Sequence, residues 1–485
     1  MSQQINTKVI SATKWSSITE IAAKLVSPVS TMVLARLLTP ESFGVLVTAT
    51  MVISFAEIFT DAGFQKYIIQ HKFKDDTSLY KSTAVAFWSN LIFSLIVWLG
   101  IAVFSNQIAH LVGNDGYGLV ITVSCVCIPL GAFSSIQMAL FKRKMDFKTL
   151  FWVRIIGIMI PLVITIPIAF ATHSYWSLII GMVALNVCNA FVLTWKSTWK
   201  PRWFYSVKIF KEMFSFTMWS MFEAISIWLT GYLDIFIVGT VLSTYYIGVY
   251  RTAITTVGQI MGIITAATTP VLFSALSHLQ NEETEFKSLF FAFQKYVGVL
   301  VIPMGVGIFL FKELITKLLL GNQWEESSYL IGWWGLTSAI TIVLSHYCSE
   351  VYRAKGKPKY SVVAQLLHLC CLVPVVLISV KYGFQSLCLW RSLVRFTAIA
   401  INLFLLYRLT RISPYGMLSN IFHICIAASF MFGVCQLFPN TNNTYLQFVY
   451  ILLCAICYMC FISLFKEERS ILLKIKSLIR VKYFI

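Results

Sequence analysis

Fourteen long apolar runs, separated by short polar clusters, constrain this chain more than any other feature. A helix needs roughly 20 apolar residues to cross the hydrocarbon core of a bilayer. Runs of that length fall at 15–38, 43–65, 82–105, 118–141, 149–171, 175–195, 212–239, 246–273, 289–311, 327–349, 360–380, 384–407, 415–438 and 445–465. The first is expected to be a retained span rather than a cleaved signal peptide. It carries Glu20, Lys24 and Arg36, and a second span follows almost at once. The expected fold is therefore all-α and polytopic, with about 14 transmembrane helices.

Composition agrees. Apolar residues make up 58% of the 485, and charged residues 12%, against about 25% charged in soluble domains. A soluble globular protein, a large aqueous domain and a nucleic-acid binder are all excluded, although the net charge is +18. The placement of that charge explains it. Of 38 Lys and Arg residues, 29 lie in the termini and one set of alternate loops. Three (Lys312, Lys317 and Lys381) lie in the opposite loops, and six lie within spans. The positive-inside rule then places both termini in the cytoplasm and requires an even span count. The tail from Lys466 to Ile485 alternates apolar and basic residues. It reads either as an amphipathic helix on anionic lipid or as a short solvated helix.

Several chemistries find no support. All 12 cysteines lie inside spans, so no disulfide framework is implied. Cys454, Cys457 and Cys460 lie mid-span without a fourth ligand nearby and read as packing residues. The seven histidines show no metal-ligand spacing, and no phosphate-binding G-x4-G-K-[ST] loop occurs. No metal, cofactor or catalytic residue is expected. The short outward loops favour transport over catalysis.

The chain carries an internal repeat. Residues 37–45 align with 241–249, including Gly44 with Gly248. Gly100-Ile101, Phe104, Ile108 and Leu111 align with Gly307-Ile308, Phe311, Ile315 and Leu318. The basic turn Phe141-Lys142, Lys144, Lys148 aligns with Tyr352-Arg353, Lys355, Lys359, and 175–178 with 384–387. The offsets stay between 204 and 211. The expected organisation is two pseudo-symmetric six-helix lobes, 1–203 and 204–411. An extra helix pair (412–465) and a basic cytoplasmic tail (466–485) follow. Two such lobes with a site between them suit alternating access.

A charge at mid-bilayer costs at least ~2.5–3.5 kcal/mol. The six intramembrane bases are Lys24, Arg36, Arg154, Arg251, Arg391 and Arg395. Six acids balance them: Glu20, Glu57, Asp61, Glu223, Asp234 and Glu350. Neutralising pairs that staple helices are one reading. Glu20 and Lys24, four apart with the acid first, have the favourable order. The other reading is that some of these bases line a wet cationic cavity, since guanidinium forks suit phosphate oxygens. Arg391 and Arg395 are four apart and alike in charge, so they repel unless an anion or acid lies between them. Pro28 removes a helical hydrogen bond beside Lys24, giving a gate or a static kink. Gly258 and Gly262 form a G-x3-G packing motif. Trp219, Trp228, Trp333 and Trp334 shape a pocket or face lipid.

The stretch Ala35-Arg36-Leu37-Leu38-Thr39-Pro40-Glu41-Ser42-Phe43-Gly44, with Phe59-Thr60-Asp61-Ala62-Gly63-Phe64 and Ile68-Ile69-Gln70, resembles the N-terminal signature of Wzx-type polysaccharide flippases. The resemblance is to the colanic-acid/teichuronic-acid branch of the multidrug/oligosaccharidyl-lipid/polysaccharide superfamily, and it covers essentially the whole chain. It implies a flippase carrying undecaprenyl-pyrophosphate-linked oligosaccharide repeat units across the bacterial inner membrane. The product would be O-antigen, capsule or exopolysaccharide, with a polymerase and a chain-length regulator as partners. Coupling to H+ or Na+ stays open. By position it favours Lys24, Arg251, Glu223 and Asp234 as cavity residues. Arg36, Arg154, Arg391 and Arg395 join them by charge, and Glu20 and Asp61 as coupling or cavity acids. Asp61 and Gly63 are equally candidates for a hinge. A multidrug cation antiporter, a peptidoglycan-precursor flippase and, from a different class, a membrane glycan polymerase are the alternatives.

Overall fold

The computed structural model describes residues 2–470 apart from Ala62, Asn440 and Asn442. It leaves out the side chains at 2–14, 16, 17, 20, 21, 61, 215–220, 222 and 223. Most of the expected amphipathic tail therefore lies outside the described residues. Every regular element among them is helical. The main helices are α1 (Ser2–Leu37), α2 (Pro40–Asp61), the short α3 (Phe64–Gln70) and α4 (Asp76–Val103). There follow α5 (Gly118–Arg143), α6 (Phe147–Thr172), α7 (Trp176–Lys196), α8 (Val207–Val241) and α9 (Thr244–His278). The rest are α10 (Glu283–Leu310), α11 (Ser327–Ala354), α12 (Lys359–Tyr382), α13 (Phe384–Thr410), α14 (Pro414–Asn420), α15 (Phe422–Gln436) and α16 (Thr444–Ile462).

Among the described residues, twelve helices are long and apolar enough to span a bilayer, or thirteen when α14 and α15, bent by 47°, count as one broken span. The expected number was about 14. The difference is α1, a continuous helix of 36 residues whose second half carries Glu20, Lys24 and Arg36. At 1.5 Å per residue it is long enough to cross, and it stands outside the count because several of its side chains, Glu20 among them, lie outside the described residues.

The chain forms two compact units, residues 1–251 and 252–485. In the first, Phe64, Tyr67, Ile68, Ala84–Phe87, Ile136, Ala139 and Leu140 form a buried core between α3, α4 and α5. Polar side chains reinforce the helix contacts, as suits an interior without water. Asn90 Nδ2 donates to Ser135 Oγ at 2.8 Å, and Gln137 Nε2 to Thr194 Oγ1 at 3.2 Å. Asp75 caps α4 by accepting from Ser78 N at 3.0 Å, and the Ser78 bonds hold its carboxyl below the usual range. Pro161, lacking an N–H, opens a π-helical turn (Pro161–Thr165) inside α6.

The starts of α2 and α9, equivalent in the repeat, pack against each other in the first unit. A Cβ on Gly44 would overlap the Thr244 carbonyl oxygen, and one on Gly248 would overlap the Pro40 carbonyl oxygen. Only glycine permits this reciprocal approach. Thr244 Oγ1 also donates to Asn114 Oδ1.

In the second unit, Gly305 and Gly335 let α10 and α11 touch. Asn420 Nδ2 donates to Phe291 O at 2.8 Å and to Gln294 Oε1 at 3.0 Å, which ties α14 to α10. Lys295 on α10 holds Glu467 and, at 3.6 Å, the buried Glu468, so the segment after α16 is fastened by charge. The Lys295 hydrogen bond holds the Glu467 carboxyl below its ordinary range.

The basic turns do more than record charge. Arg143 Nη1 donates to Ile68 O and His71 O, both at 2.8 Å, and its guanidinium lies 4.9 Å from the Phe73 ring centre. It thereby satisfies carbonyls left over at the end of α3. In the second unit Lys355 Nζ donates to Gln280 O at 2.5 Å, just past α9, and lies 4.4 Å from the Phe286 ring centre. A base on the turn, a helix-end carbonyl and an aromatic ring recur at nearly the repeat offset. Arg143→Ala should therefore lower the melting temperature of the purified protein, for a loss of about 1.5–3 kcal/mol. Arg143→Lys should lower it less. An unchanged melting curve for Arg143→Ala would remove the clamp from this account.

Candidate functional site

In the first unit Arg251 rests on an aromatic bed. Trp228 and Tyr232, four residues apart on α8, stack at 5.8 Å and 23°. The Trp228 indole donates to Ser54 Oγ at 3.1 Å, and its ring lies 4.8 Å from Phe55, so α2 fixes its plane. The Arg251 guanidinium lies 5.4 Å from the Tyr232 ring centre. No carboxylate among the described residues pairs with it. Half-buried and held over the Tyr232 face, it presents N–H donors beside an aromatic surface that Trp228 extends by stacking. Phosphate oxygens suit the donors, and the apolar faces of sugar rings suit the aromatics.

Nearby in sequence, Asp234 is 5% exposed and accepts from Tyr250 Oη at 2.8 Å and from the Ile235 N–H at 2.9 Å. It ties α8 to the start of α9. Lys24 is half-buried, while Arg36 and Arg154 are exposed. The side chains of Glu20, Asp61 and Glu223 lie outside the described residues. Helix α1 continues through Pro28. Gly63 is buried at the junction of α2 and α3 with φ −121°, a conformation open to any residue.

Arg154 lines a crevice of about 610 Å³ between α1, α5, α6 and α7. Lys142, an orientation residue by charge pattern, lines the same crevice. Ser27 and Asn189 face it as well.

In the second unit the two like charges on α13 share one aromatic. The guanidinium of Arg391 lies 4.9 Å, and that of Arg395 4.1 Å, from the Trp334 ring centre. Arg395 Nη1 also donates to Ser338 Oγ at 2.6 Å. Trp334 and Ser338 are four apart on α11, so one helix face seats both bases. Two like charges four residues apart repel unless something negative lies between them. The negative face of an indole supplies part of that compensation. Trp334 is thus a cation seat and is 9% exposed, so it does not face lipid. Glu350 behaves as a neutralising pair: it is buried and lies 3.2 Å from Arg353.

Sequence reasoning found the bases and missed their seats. The i,i+4 spacing of Trp228 with Tyr232 and of Trp334 with Ser338 was visible, but which helix faces them was not. Trp334→Leu should lower the melting temperature by more than Trp334→Phe. The loss is expected near 3 kcal/mol or more, because it removes both ring volume and the seat of two cations, Arg391 buried and Arg395 half-buried. Equal melting curves for the two variants would show that the seat is unimportant.

Residues 33–329, more than half of the chain, match the family described as polysaccharide biosynthesis protein. The succinoglycan biosynthesis transport protein ExoT of Rhizobium meliloti (strain 1021) is 22% identical over 342 residues, 70% of this chain and 68% of that protein. The lipopolysaccharide biosynthesis protein WzxC of Escherichia coli (strain K12) is 22% identical over 326 residues, 66% of this chain and 64% of that protein. Among solved structures, the lipid II flippase MurJ in its inward closed conformation has a TM-score of 0.75. It is 14% identical and aligns over 94% of this chain and 99% of its own. At that identity the likeness is one of fold.

Proposed function

The chain belongs to the polysaccharide biosynthesis protein family, and from that premise we propose that it is a flippase for lipid-linked oligosaccharide repeat units. It moves the glycan and pyrophosphate from the cytoplasmic to the periplasmic leaflet of the inner membrane for a surface polysaccharide. The lipid tail stays in the bilayer. The observation that carries this reading is the seat of Arg251 on Tyr232, whose ring stacks on Trp228. A cation beside aromatic faces matches a substrate that is anionic at one end and saccharide at the other. A multidrug cation antiporter fits this seat poorly, because a cationic substrate is repelled by it. The loop-charge pattern supports cytoplasmic termini. It puts the turns at 37–44 and 241–248 on the periplasmic side.

Alternating access then has a physical element to act on. The Gly44–Gly248 approach closes the periplasmic ends of α2 and α9 and must separate for release. Gly248→Val should weaken that closure, raising periplasmic labelling of a cysteine placed at Ser54, beside the Arg251 seat. Unchanged labelling would argue that the contact does not gate. For the transport reading itself, deletion of the gene should abolish one surface polysaccharide and leave its lipid-linked repeat units in the cytoplasmic leaflet. Arg251→Ala should lower transport about tenfold or more at unchanged protein level, as expected for a lost charge-assisted bond of ~1.5–3 kcal/mol. Normal polysaccharide after deletion, in a strain without a second flippase, would sink the proposal.

A further inference from the structure

We propose that the crevice between α1, α5, α6 and α7 is a second site, which binds the phosphate-bearing headgroup of an anionic membrane lipid. It shares no residue with the Arg251 seat and goes beyond the transport reading. Its volume, about 610 Å³, is ample for a headgroup. The Arg154 guanidinium and the Lys142 ammonium both line it, and among the described residues no carboxylate does. Among the described residues, neither cation has a side-chain hydrogen bond or ion pair. The same holds for the Ser27 hydroxyl and the Asn189 amide on the facing walls. Polar groups at membrane depth are expensive unless they find a partner. Here Arg154, Ser27 and Asn189 within the spans and Lys142 at the basic turn line one cavity, and they leave an anion as the matching ligand.

The rest of the lining is apolar, with Phe151 as an example, which suits a ligand carrying a hydrocarbon chain. The helices are shaped around the space. α6 turns from α to π geometry at Pro161, itself part of the wall. The repeat supplies a control. Lys142 corresponds to Arg353 in the second half. Arg353 is neutralised by Glu350 at 3.2 Å. Arg154 has a valine, Val363, at an offset of 209. The uncompensated cations are therefore a property of the first half and not a relic of duplication.

The test is lipid binding by the purified full-length protein in detergent. Native mass spectrometry and thermal melting are each run with phosphatidylglycerol, phosphatidylcholine and inorganic phosphate. Phosphatidylglycerol should bind and raise the melting temperature. The double variant Arg154→Gln with Lys142→Gln should weaken that binding at least about tenfold, and Arg154→Lys should retain it. Equal binding of phosphatidylcholine, or undiminished phosphatidylglycerol binding by a folded double variant, would overturn the proposal. An equal melting shift from inorganic phosphate alone would replace the lipid with a free anion and overturn it likewise. Because the readout is binding and not transport, its failure leaves the flippase reading standing, and the failure of that reading leaves this one standing.

Discussion

The absence of water in the bilayer core governs this structure. A peptide group without a hydrogen-bond partner there costs several kcal/mol, so among the described residues the chain is helical wherever it is regular. The same penalty applies to side chains. Three arrangements recur among the described polar groups: bonded to another helix, seated on a ring or turned toward a cavity. Asn90 on Ser135, Gln294 with Asn420, and Asp234 under Tyr250 are cases of the first. Arg251 on Tyr232 and the Arg391–Arg395 pair on Trp334 are cases of the second. Arg154 and Lys142 are the third.

That division bears on function. Aromatic seats hold a guanidinium in place while leaving its N–H donors available, which a carboxylate partner does not. A neutralised pair such as Glu350–Arg353 strengthens packing and offers little to an anion. A cation over a ring remains attractive to phosphate. The duplication adds a second theme, because symmetry is kept where helices end and lost where ligands fit. Arg143 and Lys355 bind helix-end carbonyls at matching places in the two halves. Gly44 and Gly248 approach each other from equivalent turns. The crevice at Arg154 has no counterpart in charge.

Much of this was legible in the chain. Long apolar runs specified helices, because only helices of that length satisfy their backbone in lipid. The first run, α1, is helical over 36 residues although it carries Glu20, Lys24 and Arg36, and it is long enough to cross. The repeat was legible because glycines and basic turns are under backbone and capping constraints that restrict substitution. Lys142 was read as an orientation residue since its place after a span explained it fully, and nothing in one dimension reveals a shared cavity. Arg391 and Arg395 were recognised as a problem in electrostatics, but the answer, an indole on α11 more than fifty residues away, was not visible.

The sequence by itself determined that this chain is helical and membrane-spanning, that it is duplicated, and which residues carry charge into the apolar spans. Those properties follow from hydropathy, period and count, which are local. Only the tertiary structure decided which of those charges are neutralised, which rest on aromatic rings and which share a cavity. Those outcomes depend on how helix faces meet across long separations, and helical periodicity sets a residue's direction on its own helix without naming the helix opposite.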